Sequence, residues 1–354
     1  MKTILFILII CYCHEATVFA FSRLSIENQI DNRWGWGKPE DPNLPIKCYG
    51  GDLSESLKSG VNDMVIVKQN DGTLKSTPLQ ARIGKLSNWR TMFKSRKGRK
   101  AKIYVNNVRV LPDAKIILSS TGAVYINEKS RSPTCSFTSN ELKQITLNEG
   151  LNEALLVVDD LKIELPFSIY LLNQGNRLVI TDVDGTITTS DFKGFIGGNM
   201  GIDVHHANVV EFLDKVSKNG YTVIYLSARP VSIDELTRDY LFDNLQNTDG
   251  GYSLPMSPLF MSPITVKAAI SADPSIMKIA TLHSLLDLFD LKQDDVFGAY
   301  GNTNPDTESY LNVGINDQRI FSINKKSEMI NVATGTETSY LLHARNINTL
   351  YPKF

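Results

Sequence analysis

Cysteine, charge imbalance, glycosylation signals and long apolar runs are all scarce in this chain of 354 residues. Of its four cysteines, Cys11 and Cys13 lie in the extreme amino-terminal apolar stretch, which leaves Cys48 and Cys135 for the folded part. That excludes a disulfide scaffold and a cysteine-based zinc site. The 37 basic side chains meet 38 acidic ones, for a net charge of -1, so no global field attracts a polyanion and nucleic acid is not an expected partner. No asparagine opens an Asn-x-Ser/Thr sequence, which runs against residence in a glycosylating compartment. Past the first residues, no run is apolar enough for long enough to span a bilayer. What is present is an apolar content of 42%, enough for one or two sizeable cores.

The amino terminus is the exception to this even texture. Lys2 precedes an uninterrupted apolar run from Ile4 to Cys13, and Val18-Phe19-Ala20 follows at the distance of a cleavage site, so residues 1–20 read as a secretory signal. Ten apolar residues are too few for a helix across a bilayer. Whether cut or retained with its positive end in the cytoplasm, such a leader points to the ER and secretory pathway. An alternative lays the segment in the membrane interface, with Phe21, Leu24, Ile30, Trp34 and Trp36 as further anchors.

From Val61 to about Glu128 short apolar runs alternate with turn residues. Asp63–Lys68, Gln80–Gly84, Lys102–Asn106, Lys115–Leu118 and Ala123–Ile126 are separated by Asn70-Asp71-Gly72, Asn106-Asn107 and Thr121-Gly122. This pattern predicts an antiparallel β-sandwich. Residues 130–150 are polar and read as a linker, and Ala154–Val158 with Leu165–Leu172 add two strands. After Arg177 the text changes to β then α: strands at Leu178–Thr181, Tyr221–Leu226, Val296–Tyr300 and Arg319–Ile323, helices at Asn208–Lys218 and Ser275–Phe289. Continuous apolar strands joined by helices predict a Rossmann-like, doubly wound parallel sheet, with ligands beyond the strands' carboxyl ends.

The chemistry concentrates at Asp182-Val183-Asp184-Gly185-Thr186, where the first of those strands ends. Two carboxylates one residue apart share a crevice, Gly185 turns the chain, and Thr186 supplies donors for an anion. The EF-hand spacing is missing, so phosphoryl transfer is the reading: Asp182 as nucleophile and Asp184 as acid-base. Two anions facing a phosphate need a bridging Mg²⁺. Ser227 and Arg229 end the next strand, Lys278 stands at a helix start, and Asn302 and Asp306 follow the strand Val296–Tyr300. Any one of these would ordinarily be a satisfied turn or a solvated surface group; four in order on one scaffold point to a site.

This order resembles the haloacid-dehalogenase (HAD) phosphatases, and more narrowly the lipin-type Mg²⁺-dependent phosphatidate phosphatases. The stretch from Asp182 to Asp191, Tyr225–Arg229, Leu254–Pro263 and Arg319–Asn324 are similar to the family's text, as are Asp63–Gly84 and Ile103–Asn107 nearer the amino terminus. The resemblance implies an immunoglobulin-like β-sandwich assembled from residues 21–129 and strands in residues 151–176. It also implies a HAD-like α/β catalytic domain over residues 177–330 and a carboxyl-terminal extension over 331–354. It implies Asp182 as nucleophile, Asp184 as acid-base, and Mg²⁺ held by Asp182, Asp184 and Asn302 with Asp306 in or near the shell. Gly185, Thr186, Ser227, Arg229 and Lys278 are the implied phosphate contacts. The implied activity is hydrolysis of phosphatidic acid to diacylglycerol at a membrane surface to which the protein binds peripherally.

Three departures qualify the likeness. Met256 and Ser257 stand where the family usually has arginine and glycine, Lys193–Gly197 lacks the leucine-rich coactivator motif, and a leader is foreign to a family working on the cytosolic side. Met256 leaves open a soluble or lysolipid phosphate ester as substrate, and a further alternative is a catalytically silent phosphatidate-binding module. Lys94–Lys102 forms the one basic cluster, read either as a lipid-facing patch or a solvated hairpin. His205 and His206 read as packing or surface residues, with an approach to the catalytic crevice from the loop after Asp203 as the alternative, and a Cys48–Cys135 bridge stays open.

Overall fold

The computed structural model describes residues 58–84, 95–127, 133–189, 205–263, 274–291 and 295–353. The leader, Cys48, Lys94, Lys193–Gly197 and Asp191 lie outside the described residues.

A short antiparallel pair, β1 (Gly60–Val61) with β4 (Ala81–Arg82), opens the described chain. The first large sheet takes β2 (Met64–Lys68), β3 (Leu74–Ser76), β5 (Lys102–Val105), β6 (Val108–Val110), β9 (Gly150–Val158) and β10 (Ile163–Asn173), in the order β3-β2-β10-β9-β5-β6. A hairpin of β7 (Ile116–Leu118) and β8 (Val124–Ile126) packs its Ile116, Leu118, Val124 and Ile126 into the same core as Met64, Ile66 and Leu156. Asn106 and Asn107, with φ of 49° and 66°, make the tight turn between β5 and β6, as an Asn-Asn pair suits.

One pairing departs from the antiparallel expectation: β2 runs parallel to β10, with Met64 opposite Ile169. Parallel neighbours need a long crossover, and here it carries strands β3 to β9. The stretch expected as a linker also does more than connect. Its described part carries α1 (Ser139–Leu142), closed by a Thr138–Glu141 capping box, and sends Phe137, Leu142 and Ile145 into the amino-terminal core. Cys135 is buried and its sulfur is taken up in a disulfide.

The second sheet has seven strands: β11 (Leu178–Asp182), β12 (Thr222–Pro230), β13 (Leu259–Ser262), β14 (Val296–Gly301), β15 (Ile320–Ile323), β16 (Glu328–Asn331) and β17 (Glu337–Ser339). Their order is β13-β12-β11-β14-β15-β16-β17, parallel through β15 and antiparallel beyond it. Helices α2 (Val209–Lys218), α6 (Tyr340–Arg345) and α7 (Ile347–Leu350) belong to one side of this sheet, α4 (Pro274–Phe289) and α5 (Asn304–Asn312) to the other; α3 (Asp234–Arg238) follows β12. The expected boundary at residue 330 is crossed without a break, because Tyr340 and Tyr351 pack with Phe212 in the core of the α2 side.

Strand parity explains how the two sheets stack. In β2, Met64 and Ile66 enter the amino-terminal core while Val65 and Val67 enter a second core with Leu178, Ile180, Ile224 and Leu226. In β11 and β12 the opposite parity, Val179, Val223 and Tyr225, enters the third core. Side chains that alternate across a strand thus bury both faces, which is why these segments read as continuous apolar runs.

The joint is polar as well as apolar. Asn62 Nδ2 donates to the Met261 carbonyl (2.8 Å) and its Oδ1 accepts the Met261 N–H (2.9 Å), so one side chain pairs with the outer edge of β13 as a strand would. Next to it the fully buried Asp63 accepts from the backbone N–H groups of Ser168 (2.8 Å) and Leu259 (2.9 Å) and pairs with Arg238 (2.9 Å). Asp234 accepts the Val61 N–H at 2.9 Å from the same side.

Candidate active site

Counting the parallel strands in chain order, the sheet runs 3-2-1-4-5 and reverses between β11 and β14. At such a switch point the connections leave in opposite directions and open a crevice past the carboxyl ends. Asp182 closes β11, Ser227 and Arg229 lie towards the carboxyl end of β12, and Asn302 follows β14, so three strands deliver their polar ends to one place. Lys278 reaches it from the start of α4 and Asp306 from the first turn of α5. Gly185 turns at φ 80°, a conformation that costs a side-chain-bearing residue dearly. Gly301 is needed for space: a Cβ there would stand 2.4 Å from that of Asp306.

The groups form two linked charge clusters. Lys278 donates to Oδ1 of Asp182 and to Oδ1 of Asp306, all three side chains being buried. The Thr186 hydroxyl donates to Asp182 Oδ2 (3.2 Å). In the second cluster Arg229, fully buried, grips Asp184 with Nε (2.9 Å) and Nη2 (2.7 Å) on Oδ1, while the Ser227 hydroxyl donates to Asp184 Oδ2 (3.2 Å). Three carboxylates therefore face two cations. Burial first, and then the neighbouring Asp306 and Asp184, push the Asp182 carboxyl up to about 7 in spite of Lys278. Burial alone would lower the Lys278 ammonium, but Asp182 and Asp306 overturn that and hold it above the usual lysine range. Burial would raise Asp306, yet Lys278 and the Thr303 hydrogen bonds keep it below the ordinary carboxyl value.

The donor chemistry fits a hard divalent cation. One terminal atom of the Asn302 amide lies 2.9 Å from the Asp184 carbonyl oxygen and 3.3 Å from Asp306 Oδ2. With nitrogen there, the amide donates to both; with oxygen there, oxygens converge with no proton between them, an arrangement a hard cation stabilises. Among the described residues no three carboxylate, imidazole or thiol groups form a metal cage, so a cation would rely on this mixture of carboxylate, amide and backbone carbonyl.

The candidate catalytic, metal and phosphate residues come together, but not all in the expected attitude. Ser227 and Arg229, expected on a phosphate, are engaged with Asp184. Lys278 joins Asp182 to Asp306. Asp306 is spent on support, its Oδ2 accepting the N–H groups of Asn302 (3.1 Å) and Thr303 (3.0 Å) and the Thr303 hydroxyl (2.8 Å). Met256, half exposed, precedes β13 at the amino end of the sheet, opposite the crevice, so it has no bearing on what the crevice holds. The basic cluster is partly neutralised, since Arg99 pairs with Asp160 (2.9 Å), Lys102 with Asp159, and Arg96 turns inward onto the Ile83 carbonyl (3.4 Å). Two further residues stand at the site. His206, for which packing or surface was the favoured reading over an approach to the crevice, meets the Gly185 carbonyl (3.1 Å), and Tyr340, unremarked beyond residue 330, donates to the Thr186 carbonyl (2.9 Å). A histidine following the first βα loop was the only signal for the former, and there was none for the latter.

Comparison with known proteins bears on both halves. The family described as LNS2 (Lipin/Ned1/Smp2) matches residues 133–352, and the lipin N-terminal conserved region matches residues 47–145. The human protein named phosphatidate phosphatase LPIN1 is 32% identical over 228 residues, covering 62% of this chain and 25% of its own length. Phosphatidic acid phosphohydrolase 1 of Saccharomyces cerevisiae is 32% identical over 245 residues, covering 64% and 28%. Phosphatidate phosphatase PAH1 of Arabidopsis thaliana is 34% identical over 193 residues, covering 52% and 21%. The chain thus spans about a quarter of the length of these curated relatives.

Proposed function

The chain belongs to the lipin family, and from that premise we propose that it is a phosphatidate phosphatase, hydrolysing phosphatidic acid to diacylglycerol through an aspartyl-phosphate on Asp182. The observation that carries this reading is the convergence of Asp182, Asp184, Thr186, Lys278 and Asn302 at the switch point of the parallel sheet. The seven-stranded sheet from residue 177, with the segment past residue 330 that packs into its core, acts as the HAD-like catalytic domain, and the amino-terminal sheet, with β9 and β10, as the immunoglobulin-like sandwich of the family.

Asp182 Oδ2 attacks phosphorus, the P–O bond to the diacylglycerol oxygen breaks, and Asp184 supplies the proton that oxygen needs. In the second half Asp184 takes a proton from water, which attacks the phosphoryl group and regenerates the Asp182 carboxylate. Lys278 and Thr186 hold the nucleophile on line, and Arg229 with Ser227 hold Asp184 between its two roles. Mg²⁺, held by Asp182, the Asp184 carbonyl and Asn302 with Asp306 behind, would offset the charge that accumulates between carboxylates and phosphate. The substrate is a lipid, so the crevice works against a membrane surface as a peripheral protein. Met256, the residue that raised a soluble ester as substrate, stands away from the crevice, and the described residues give that reading no further support.

Phosphate release from phosphatidate in detergent micelles by the full chain, with and without Mg²⁺, tests this. Turnover should need the metal, and Asp182→Asn should lower kcat by at least about 10⁴-fold while leaving the fold intact. Metal-independent turnover, or an Asp182→Asn variant as active as the parent, refutes it.

A further inference from the structure

Two buried side chains with no part in the proposed chemistry grip the catalytic turn from behind. His206 is 1% exposed, and its Nε2 lies 3.1 Å from the carbonyl oxygen of Gly185. A carbonyl only accepts, so Nε2 carries the proton and donates, and Nδ1 is left to accept from the Ser327 hydroxyl at 2.8 Å. The ring is thereby fixed at both nitrogens, by the turn on one side and by the loop before β16 on the other. Tyr340, also 1% exposed, opens α6 and donates its hydroxyl to the carbonyl oxygen of Thr186 at 2.9 Å. Its ring is held by Phe212 and Tyr300, with centroids 5.7 Å and 6.2 Å away.

These two carbonyls belong to the two peptide planes that flank Thr186. A peptide is planar, so fixing its carbonyl fixes the whole unit. With both planes fixed, φ and ψ of Thr186 are set, and so is the direction of its Cα–Cβ bond. That direction brings the hydroxyl to 3.2 Å from Asp182 Oδ2. The same pinning anchors Gly185, whose φ of 80° lies in a region that an unanchored turn would leave readily, and with it the adjacent Asp184.

We propose that His206 and Tyr340 are positioning residues of the phosphatase reaction, aiming the Thr186 hydroxyl at Asp182 and Asp184 at the phosphoryl group through the carbonyls of Gly185 and Thr186. The carboxyl-terminal segment past residue 330 is then part of the catalytic machinery through Tyr340. This rests on the activity proposed above, and its test is built so that the two fail separately.

The test compares His206→Phe, Tyr340→Phe and His206→Gln with the parent full chain. Three quantities are measured: kcat and KM on micellar phosphatidate, melting temperature, and Mg²⁺-dependent binding of beryllofluoride, a phosphoryl mimic that reads the site without turnover. His206→Phe and Tyr340→Phe should each lower kcat about 10- to 100-fold with KM changed less than about twofold, the cost of loose aim rather than lost binding contacts. Both should weaken beryllofluoride binding in step. His206→Gln keeps an N–H at nearly the same reach and should recover most of the loss, which a purely structural role would not predict. The proposal is overturned if both phenylalanine variants retain kcat and beryllofluoride affinity within about twofold of the parent, or if glutamine is no better than phenylalanine. A parent chain that binds beryllofluoride but leaves phosphatidate untouched refutes the substrate, and the beryllofluoride series still decides the role of the two residues.

Discussion

The two sheets are built from similar strands and put to different uses. Around Met64, Ile66, Leu156 and Phe167 the amino-terminal sheet packs aliphatic and aromatic side chains against the hairpin of β7 and β8. The carboxyl-terminal sheet is as apolar through its middle, but past the ends of β11, β12 and β14 it gathers the buried charges Asp182, Arg229, Lys278 and Asp306. Holding such charges out of water is expensive, and each is kept by an opposite partner and by hydrogen bonds. The contrast separates a region whose residues contribute packing from one that concentrates buried charge and chemistry at a rim. Between them, Asn62 and Asp63 make the amino-terminal strand part of the edge of the second sheet.

Breaking that joint should have the largest effect on stability. Asp63→Ala strands the buried Arg238 guanidinium and two backbone N–H groups, and should lower unfolding free energy by about 3–5 kcal/mol in urea titrations. Catalysis should weaken with it, because Leu259 and Met261 sit beside the strand that carries Ser227 and Arg229. Leu156→Ala sharpens the contrast from the other side: a fully buried methyl cluster lost from the amino-terminal core should cost about 3 kcal/mol with kcat per folded molecule unchanged. A drop in kcat equal to that of Asp63→Ala would show that the two regions are not separable in this way.

The smallest effect concerns acid. Burial lowers the His343 imidazole to about 4, so the unfolded chain binds a proton more readily than the folded one between that value and the ordinary 6.5. The stability it contributes is full above about pH 6.5 and is lost as pH falls towards 4, on the order of 3 kcal/mol at most. Asp234 works the other way: burial raises it to about 6, so its contribution falls as pH rises through that value. Across pH 4–7 the melting temperature of the parent should therefore fall more steeply towards the acid end than that of His343→Leu, isolating the histidine from the carboxyls.

Much of this molecule is legible in its sequence, for identifiable reasons. Leu178–Thr181, Val296–Tyr300 and the helix at Ser275–Phe289 are continuous apolar or long periodic segments, and β11, β14 and α4 fall within a residue or so of them. Asp182-Val183-Asp184-Gly185-Thr186 is local, so its chemistry is readable before its geometry. The parallel pairing of β2 with β10 is not, because a strand buried on both faces leaves no alternation to say which neighbour it takes. The engagement of Arg229 and Ser227 with Asp184, and the grip of His206 and Tyr340 on two carbonyls, depend on a few side-chain hydrogen bonds between residues 21 to 154 positions apart. No periodicity marks such a bond.

With both the N–H and the carbonyl of Met261 taken by the Asn62 amide, the outer rim of β13 offers little to a second molecule. A carboxyl-terminal half expressed without residues 60–63 would present that rim as a template for intermolecular strand addition. Truncation there should show itself first as insolubility, before any assay of turnover becomes possible.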